Sequence, residues 1–299
     1  MWGKGRLSGA ALFFVASTTV IPSTLGILGL GALGGSIARR AKAAGVPAVL
    51  GWSPEPVARG TAVRQGALDD ALMSPRAVAE RAELVVLALP PRATRSQLES
   101  LASLRSAALF TDTSPVKRLV VSTAERAGLG ERFAGSHPLV HAEGGFDASR
   151  TDLFCGATIY VTPTRDGEGA AREIADFWES VCEAHVVMLD PIAHDAQLAL
   201  TEQLPLATAV MLARLLAECL PAGASLPAVA RDTTRAAAAD PASWAEALTE
   251  NRDQLLSALA GFRAPLEGLE RALQAGDAAA LQAWLEVAAR WRRGIEGGA

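Results

Sequence analysis

Gly29, Gly31 and Gly34 have the spacing of a dinucleotide cradle. An apolar, strand-like run, Thr24 to Leu28, leads into them, and a helix-like run, Ser36 to Ala44, follows and stops at Gly45. This strand–turn–helix context is what gives the GxGxxG spacing its meaning. Gly29 allows the tight turn, Gly31 lets a pyrophosphate approach the backbone, and Gly34 lets the helix lie close on the strand. Leu30, Ala32 and Leu33 lie between them, and free N–H groups at a positive helix end face the same phosphates. The expected cofactor is NAD or NADP. Roughly 20 residues past such glycines an acidic side chain usually holds the ribose hydroxyls. Here that place holds Ser53, followed by Pro54 and Glu55. Without a carboxylate at Ser53, a 2′-phosphate is admitted, and Arg59 or Arg64 could contact it, so both nucleotides stay open. Glu55 could serve the ribose instead, or be a solvated loop carboxylate.

The elements that must hold this cradle are readable in order. Pro47 to Trp52 reads as a second strand, and Pro56 to Glu80 as a helical region. Leu84 to Leu89 is nearly all apolar, as a parallel strand covered on both faces should be. Pro90-Pro91 ends it where the cofactor would pass, and a helix over Thr94 to Leu101 follows. Ala107 to Asp112 is a further strand, and Thr113-Ser114-Pro115 turns into a helix near Val116. Phe133 to Pro138 repeats the pattern as a short strand ending in His137. A strand over Ala157 to Val161, a helix over Gly169 to Ala184 and a strand over His185 to Leu189 complete the region. Alternating strands and helices predict a parallel, doubly wound sheet. Ligands sit beyond the carboxyl ends of such strands, where Pro90, Asp112 and Ser114 fall.

From Pro191 the composition changes to long Ala/Leu-rich helical patterns. They cover Pro191 to Leu220 with a kink at Pro205, Leu226 to Ala239, Pro241 to Leu273 and Ala278 to Ile295. The expected organisation is an N-terminal extension over 1–22, a Rossmann-type α/β domain over 23–190 and an all-α domain over 191–299. The chain of 299 residues has a net charge of -4, so no basic face awaits a nucleic acid. Cys155, Cys182 and Cys219 have neither zinc nor disulfide-framework spacing, and free thiols are expected. Lys4 and Arg6 before the apolar run Ala10 to Ile21 resemble a secretory signal. The run is too short to span a bilayer comfortably, and the cofactor strand starts almost directly after Pro22. The preferred reading is an extension on a cytoplasmic protein, with no membrane partner.

Taken together, these blocks resemble the prephenate dehydrogenase family, which includes arogenate dehydrogenases and serves tyrosine biosynthesis. The resemblance runs from about Leu25 to Arg293. It rests on Gly29 to Ser36, Thr111-Asp112 with Val116-Lys117, and Gly135-Ser-His-Pro138 with Glu143. Further on it rests on Asp152-Leu-Phe154, Thr162-Pro163, His194-Asp195, Arg231-Asp-Thr-Thr-Arg235, Asp240-Pro241, Trp244 and Glu250-Asn251. The resemblance implies an NAD(P)-dependent oxidative decarboxylation of prephenate and a homodimer formed by the C-terminal helices. By the same match, His137 is the catalytic histidine that takes the ring-hydroxyl proton, and Arg235 grips a substrate carboxylate, with Arg231 in reserve. Glu143, Asp232 and Trp244 match positions that shape the pocket.

Three departures bear on substrate. Relatives have Gly-Ser where this chain has Ser114-Pro115, so a serine beside the catalytic histidine is missing or displaced to Ser114. Leu206 stands where many relatives have a substrate-holding histidine, and His141 lies in an altered segment after Pro138. These changes leave arogenate or an amino-substituted prephenate as alternative substrates, and a catalytically silent dinucleotide-binding sensor as a reading of another class. His194-Asp195 imitates a catalytic dyad, but adjacent helical residues point in different directions, so a helix-start or capping role is expected. His185, opening an apolar strand, is expected to be structural.

Overall fold

The computed structural model describes residues 21–142 and 144–296. The proposed extension therefore lies almost wholly outside the described residues, and Glu143 lies outside them too. Five strands form the cofactor-side sheet: β1 (Thr24–Leu28), β2 (Ala48–Trp52), β3 (Asp70–Ala71), β4 (Leu84–Leu87) and β5 (Leu109–Asp112). All pair in parallel, in the order β3-β2-β1-β4-β5. The helices α1 (Ala32–Ala43), α2 (Pro56–Arg64), α3 (Pro75–Arg81), α4 (Pro91–Leu101) and α5 (Arg118–Arg126) follow the strands in turn. Strand order reverses between β1 and β4, and such a switch point opens a crevice at the carboxyl ends.

Side-chain alternation along the strands divides the core. Leu25, Ile27, Val49 and Val86 pack toward one face with Ile37, Phe154 and Trp178. Leu28, Val85, Leu87 and Phe110 pack toward the other with Val78, Leu98 and Val120. Strands covered on both faces explain their nearly unbroken apolar sequences.

Two sequence expectations for the α/β region need correction. The stretch 56–80 is not one helical region: a short strand, β3, separates α2 from α3, and Ser74 caps α3 by accepting from the Ala77 N–H. The strand carrying His137 does not extend the parallel sheet. β6 (Ala134–Pro138), β7 (Thr158–Pro163) and β8 (His185–Met188) form a second sheet, with β6 antiparallel to β7 and β7 parallel to β8. A parallel bridge, Phe110 to Phe133, links the two sheets. The antiparallel pairing sets Tyr160 directly opposite His137. The helix α6 (Glu168–Ser180) covers this sheet, and its Trp178 is fully buried.

The described residues fall into two compact units. The first comprises 21–198 and takes back 239–251, so α7 (Pro191–Leu198) belongs to it although the composition changes at Pro191. Here α10 (Pro241–Glu250) is anchored on α4: the Arg92 N–H donates to Glu246 Oε1 at 2.9 Å, and Arg95 pairs with Glu250. The second unit comprises 199–238 and 252–296. A π-helical turn, Ala199–Gln203, precedes α8 (Leu204–Cys219), so Pro205 sits in a first turn where its missing N–H is harmless. Then come α9 (Ala228–Thr234), α11 (Arg252–Ala275) and α12 (Ala278–Glu296). The expected single helix from Pro241 to Leu273 is broken at Asn251, whose buried side chain belongs to the first unit. The helical unit leaves large apolar side chains exposed, among them Met211, Leu215, Leu266, Val287 and Trp291. The continuous segment Pro191–Cys219 is apolar and long enough to cross a membrane, with 28% of its most apolar window buried.

Candidate active site

The glycine turn is dictated by sterics at two positions and is open at the third. Gly29 has φ +100°, and a Cβ there would lie 2.2 Å from the Ala88 carbonyl oxygen. A Cβ at Gly34 would lie 1.9 Å from the Gly29 carbonyl oxygen, so only glycine lets α1 approach this strand. At Gly31 the nearest atom to an added Cβ is the Gly144 carbonyl oxygen, at 3.6 Å. Nothing in the fold itself forbids a side chain there, so the constraint at Gly31 points to an approaching ligand. Gly31 is the N-cap of α1 and provides no side-chain cap. The Ala32 N–H donates to the Gly144 carbonyl at 3.2 Å, and the Leu33 and Gly34 amides have no acceptor within the helix. Leu30 is buried beside this turn. These features fit a dinucleotide pyrophosphate.

At the end of β2, the buried Ser53 hydroxyl donates to the Glu55 carboxylate, and the Arg59 guanidinium donates to the Ser53 carbonyl. Serine, glutamate and arginine are thus tied together where a ribose would be read. Pro90 is exposed and forms the N-cap of α4.

Asp112 does not line the cofactor crevice as its strand-end position suggested. It is fully buried, and both oxygens are taken. Lys117 Nζ lies 2.7 and 2.8 Å from the two oxygens, the Ser136 N–H donates to Oδ1 at 3.1 Å, and the Ser114 N–H donates to Oδ2 at 2.9 Å. Lys117 Nζ also donates to the Ser136 carbonyl at 2.6 Å. The pair therefore clamps the backbone just before His137 to the end of β5. Burial lowers the Lys117 pKa, against the attraction of Asp112. The Ser114 hydroxyl is different: it is buried and has no hydrogen-bond partner among the described residues, which leaves it available to a bound molecule.

His137 lies near the carboxyl end of β6, 6% exposed. Its Nδ1 is 3.1 Å from His194 Nε2, and His194 Nδ1 is 2.9 Å from Asp195 Oδ1. Asp195 also accepts from the backbone N–H groups of Lys117 at 2.8 Å and Arg118 at 3.0 Å, and from Arg118 Nε at 3.2 Å. Asn251 Nδ2 donates to the Asp195 carbonyl at 2.8 Å. The Tyr160 ring meets the His194 ring edge-on, with centroids 5.3 Å apart. The expected divergence of His194 and Asp195 is thus corrected. Both side chains are buried and converge, because Asp195 is drawn to the start of α5 while His194 reaches across to β6.

Burial, then the neighbouring His194 and Lys117, holds the His137 pKa well below the usual 6.5. Burial also lowers that of His194 and outweighs its hydrogen bond to Asp195. For Asp195, burial acts to raise the pKa, but the hydrogen bonds from His194, Lys117 and Arg118 prevail and the net shift is downward. The line therefore holds an ionised carboxylate and two neutral imidazoles near neutral pH.

Arg235, Arg231 and Leu206 lie in the helical unit. Arg235 begins a 3-10 turn after α9, is exposed, and pairs with Asp232. Arg231 is exposed and donates to the Leu226 carbonyl at 2.9 Å. Leu206 is buried in the first turn of α8. His185 is exposed at the start of β8, and His141 is exposed in the loop after β6.

Residues 37–188 match the family model described as prephenate dehydrogenase, nucleotide-binding domain, and residues 190–287 match the one described as prephenate dehydrogenase, dimerization domain. The glycine turn precedes the matched residues. Cyclohexadienyl dehydrogenase of Zymomonas mobilis is 29% identical over 262 residues, covering 85% of this chain and 89% of the relative. Prephenate dehydrogenase of Bacillus subtilis is 27% identical over 286 residues, covering 91% and 76%. The crystal structure of prephenate dehydrogenase from A. aeolicus, in complex with hydroxyphenyl propionate and NAD+, is similar with a TM-score of 0.83 and 26% identity, covering 91% of this chain and 98% of that one.

Proposed function

The chain belongs to the prephenate dehydrogenase family, and from that premise we propose that it oxidatively decarboxylates prephenate to 4-hydroxyphenylpyruvate in tyrosine biosynthesis. The observation that carries this reading is His137: a neutral, buried imidazole with one nitrogen held by His194 and the other left to act on a ligand. Bound at the glycine turn, NAD+ or NADP+ supplies the hydride acceptor. Gly31 leaves the backbone open to the pyrophosphate, and the α1 N-terminus offers it amides and a positive end. His137 accepts the ring-hydroxyl proton as the hydroxyl becomes a carbonyl oxygen. Aromatisation of the ring drives the loss of carbon dioxide, so the residues need only align the substrate and manage one proton. Arg235 is assigned to a substrate carboxylate, which a guanidinium fork grips bidentately. Arg231 is the reserve, and Ser114, with its unpartnered hydroxyl, is assigned to substrate as well. Glu143 completes that set by its place in the family motif.

The test is to mix purified protein with prephenate and NAD+ or NADP+ and to follow the absorbance of the reduced nicotinamide. Reduction that requires prephenate supports the reading; no reduction with either nucleotide overturns it. Leu206, an aliphatic residue where a hydrogen-bonding histidine stands in many relatives, favours a second reading in which arogenate or an amino-substituted prephenate is preferred. The ratio of kcat/KM for arogenate to that for prephenate separates the two.

The exposed apolar side chains of the helical unit, within a segment matched by a dimerization-domain model, support a homodimer through those helices. The same partner accounts for the apolar face of Pro191–Cys219 without a bilayer. A cytoplasmic location accords with the soluble cofactor.

A further inference from the structure

We propose that Asp195 and His194 are positioning residues that fix His137 as its Nδ1–H tautomer and so make Nε2 the base. The inference rests on the reading of His137 as the proton acceptor. It follows from counting donors and acceptors along the line. Asp195 accepts two backbone N–H groups and the Nε–H of the cationic Arg118, donors that together hold it as the ionised carboxylate. His194 Nδ1, 2.9 Å away, must therefore be the donor to it. In neutral His194 the other nitrogen, Nε2, is then an acceptor. His137 Nδ1, 3.1 Å from that acceptor, must carry a hydrogen, and the lone pair of His137 falls on Nε2. With Asp195 ionised and both imidazoles neutral, no other arrangement of hydrogens satisfies all three groups.

The anchoring around this line is independent of the substrate. The Asn251 amide holds the Asp195 carbonyl, and Tyr160, paired with His137 across the sheet, packs on the His194 ring. The backbone amides at the start of α5 hold the carboxylate. The Lys117–Asp112 pair holds the strand at Ser136. Each side chain of the line is thus fixed from a second element, which the orientation of a base requires. In the proton transfer, the substrate O–H bond breaks, the proton bonds to Nε2 and the electron pair stays on oxygen as hydride leaves the same carbon. When the carboxylate leaves as carbon dioxide, its electron pair completes the aromatic ring and the oxygen takes the proton back from Nε2. Nδ1 keeps its hydrogen throughout.

The test uses the whole chain. It carries four histidines, so imidazole nitrogen resonances in 15N-labelled protein are assigned by single substitutions. At neutral pH, His137 is expected to show a protonated Nδ1 and a bare Nε2, the reverse of the tautomer that free imidazole side chains prefer. In His194→Leu it is expected to revert to Nε2–H, and kcat to fall about 100-fold or more, while NAD+ affinity changes less than about threefold. His194→Gln, whose amide can donate to Asp195 and accept from His137, is expected to restore the tautomer and bring kcat to within about tenfold of the parent. A bare Nδ1 on His137 in the parent protein overturns the proposal, whether or not His194→Leu folds. So does a His194→Leu protein with unchanged turnover. If the parent protein shows the expected tautomer but does not oxidise prephenate, the proton arrangement stands and the assignment of substrate fails.

Discussion

Lys117 and Asp112 form an ion pair with no exposed side-chain surface, Nζ lying 2.7 and 2.8 Å from the two carboxylate oxygens. The pair joins the start of α5 to the end of β5, and through Ser136 it fixes the residue before His137. Removing one partner strands the other charge away from water. Lys117→Met is expected to destabilise the protein by about 3–5 kcal/mol, measured by urea unfolding. A loss below about 1 kcal/mol would mean that solvent reaches Asp112.

The glycine turn separates a structural glycine from a ligand-directed one. Gly34→Ala would place a Cβ 1.9 Å from the Gly29 carbonyl oxygen, so α1 must shift and both stability and NAD+ binding should suffer. Gly31→Ala meets nothing nearer than 3.6 Å, so the thermal midpoint should stay within about 2 °C of the parent while NAD+ affinity falls about tenfold or more. Calorimetric titration and a melting curve on the same two variants check this. Equal NAD+ affinity for Gly31→Ala and the parent would move the pyrophosphate away from this turn.

The fold was legible in the sequence wherever one element decides its own state. The unbroken apolar runs of β1 and β4 and the glycines between β1 and α1 need no tertiary context. The strand of His137 was legible as a strand but not as a member of a second sheet, because pairing direction is set by β7, which lies beyond a long loop. The break at Asn251 was hidden because the residue reads as helix until its amide is seen bonded to Asp195, 56 positions away. The pairing of His194 with His137 was likewise illegible, since 57 positions separate them and helical periodicity argued that His194 and Asp195 diverge. Position at a strand end alone points Asp112 toward a ligand, and the residue that turns it inward, Lys117, lies five positions on.

The buried histidines set an acid limit on both activity and stability. Catalysis needs neutral His137, whose pKa in the folded chain lies well below 6.5. The pH profile of kcat/KM should therefore be flat for this group above 6.5 and fall only at lower pH. The unfolded chain binds protons on His137 and His194 near 6.5, whereas the folded chain does not. Their contribution to stability is thus complete above 6.5 and is lost as pH falls toward the depressed folded values. Urea midpoints measured across this range check the sign, and a midpoint that rises on acidification through 6.5 contradicts it.

Arg235 is exposed and, among the described residues, engaged only with Asp232, so its removal should cost the fold little. Arg235→Gln is expected to raise KM for prephenate about 10- to 100-fold with NAD+ affinity unchanged, the scale of a charge-assisted contact. An unchanged kcat/KM would pass the role to Arg231.

The most direct measurement compares His137→Asn with the parent protein in prephenate-dependent nicotinamide reduction, with NAD+ affinity titrated alongside. With His137 as the base, NAD+ binds both proteins alike, and kcat of the variant falls about 100- to 10,000-fold. Turnover by His137→Asn equal to that of the parent would contradict the assignment of this imidazole to the reaction.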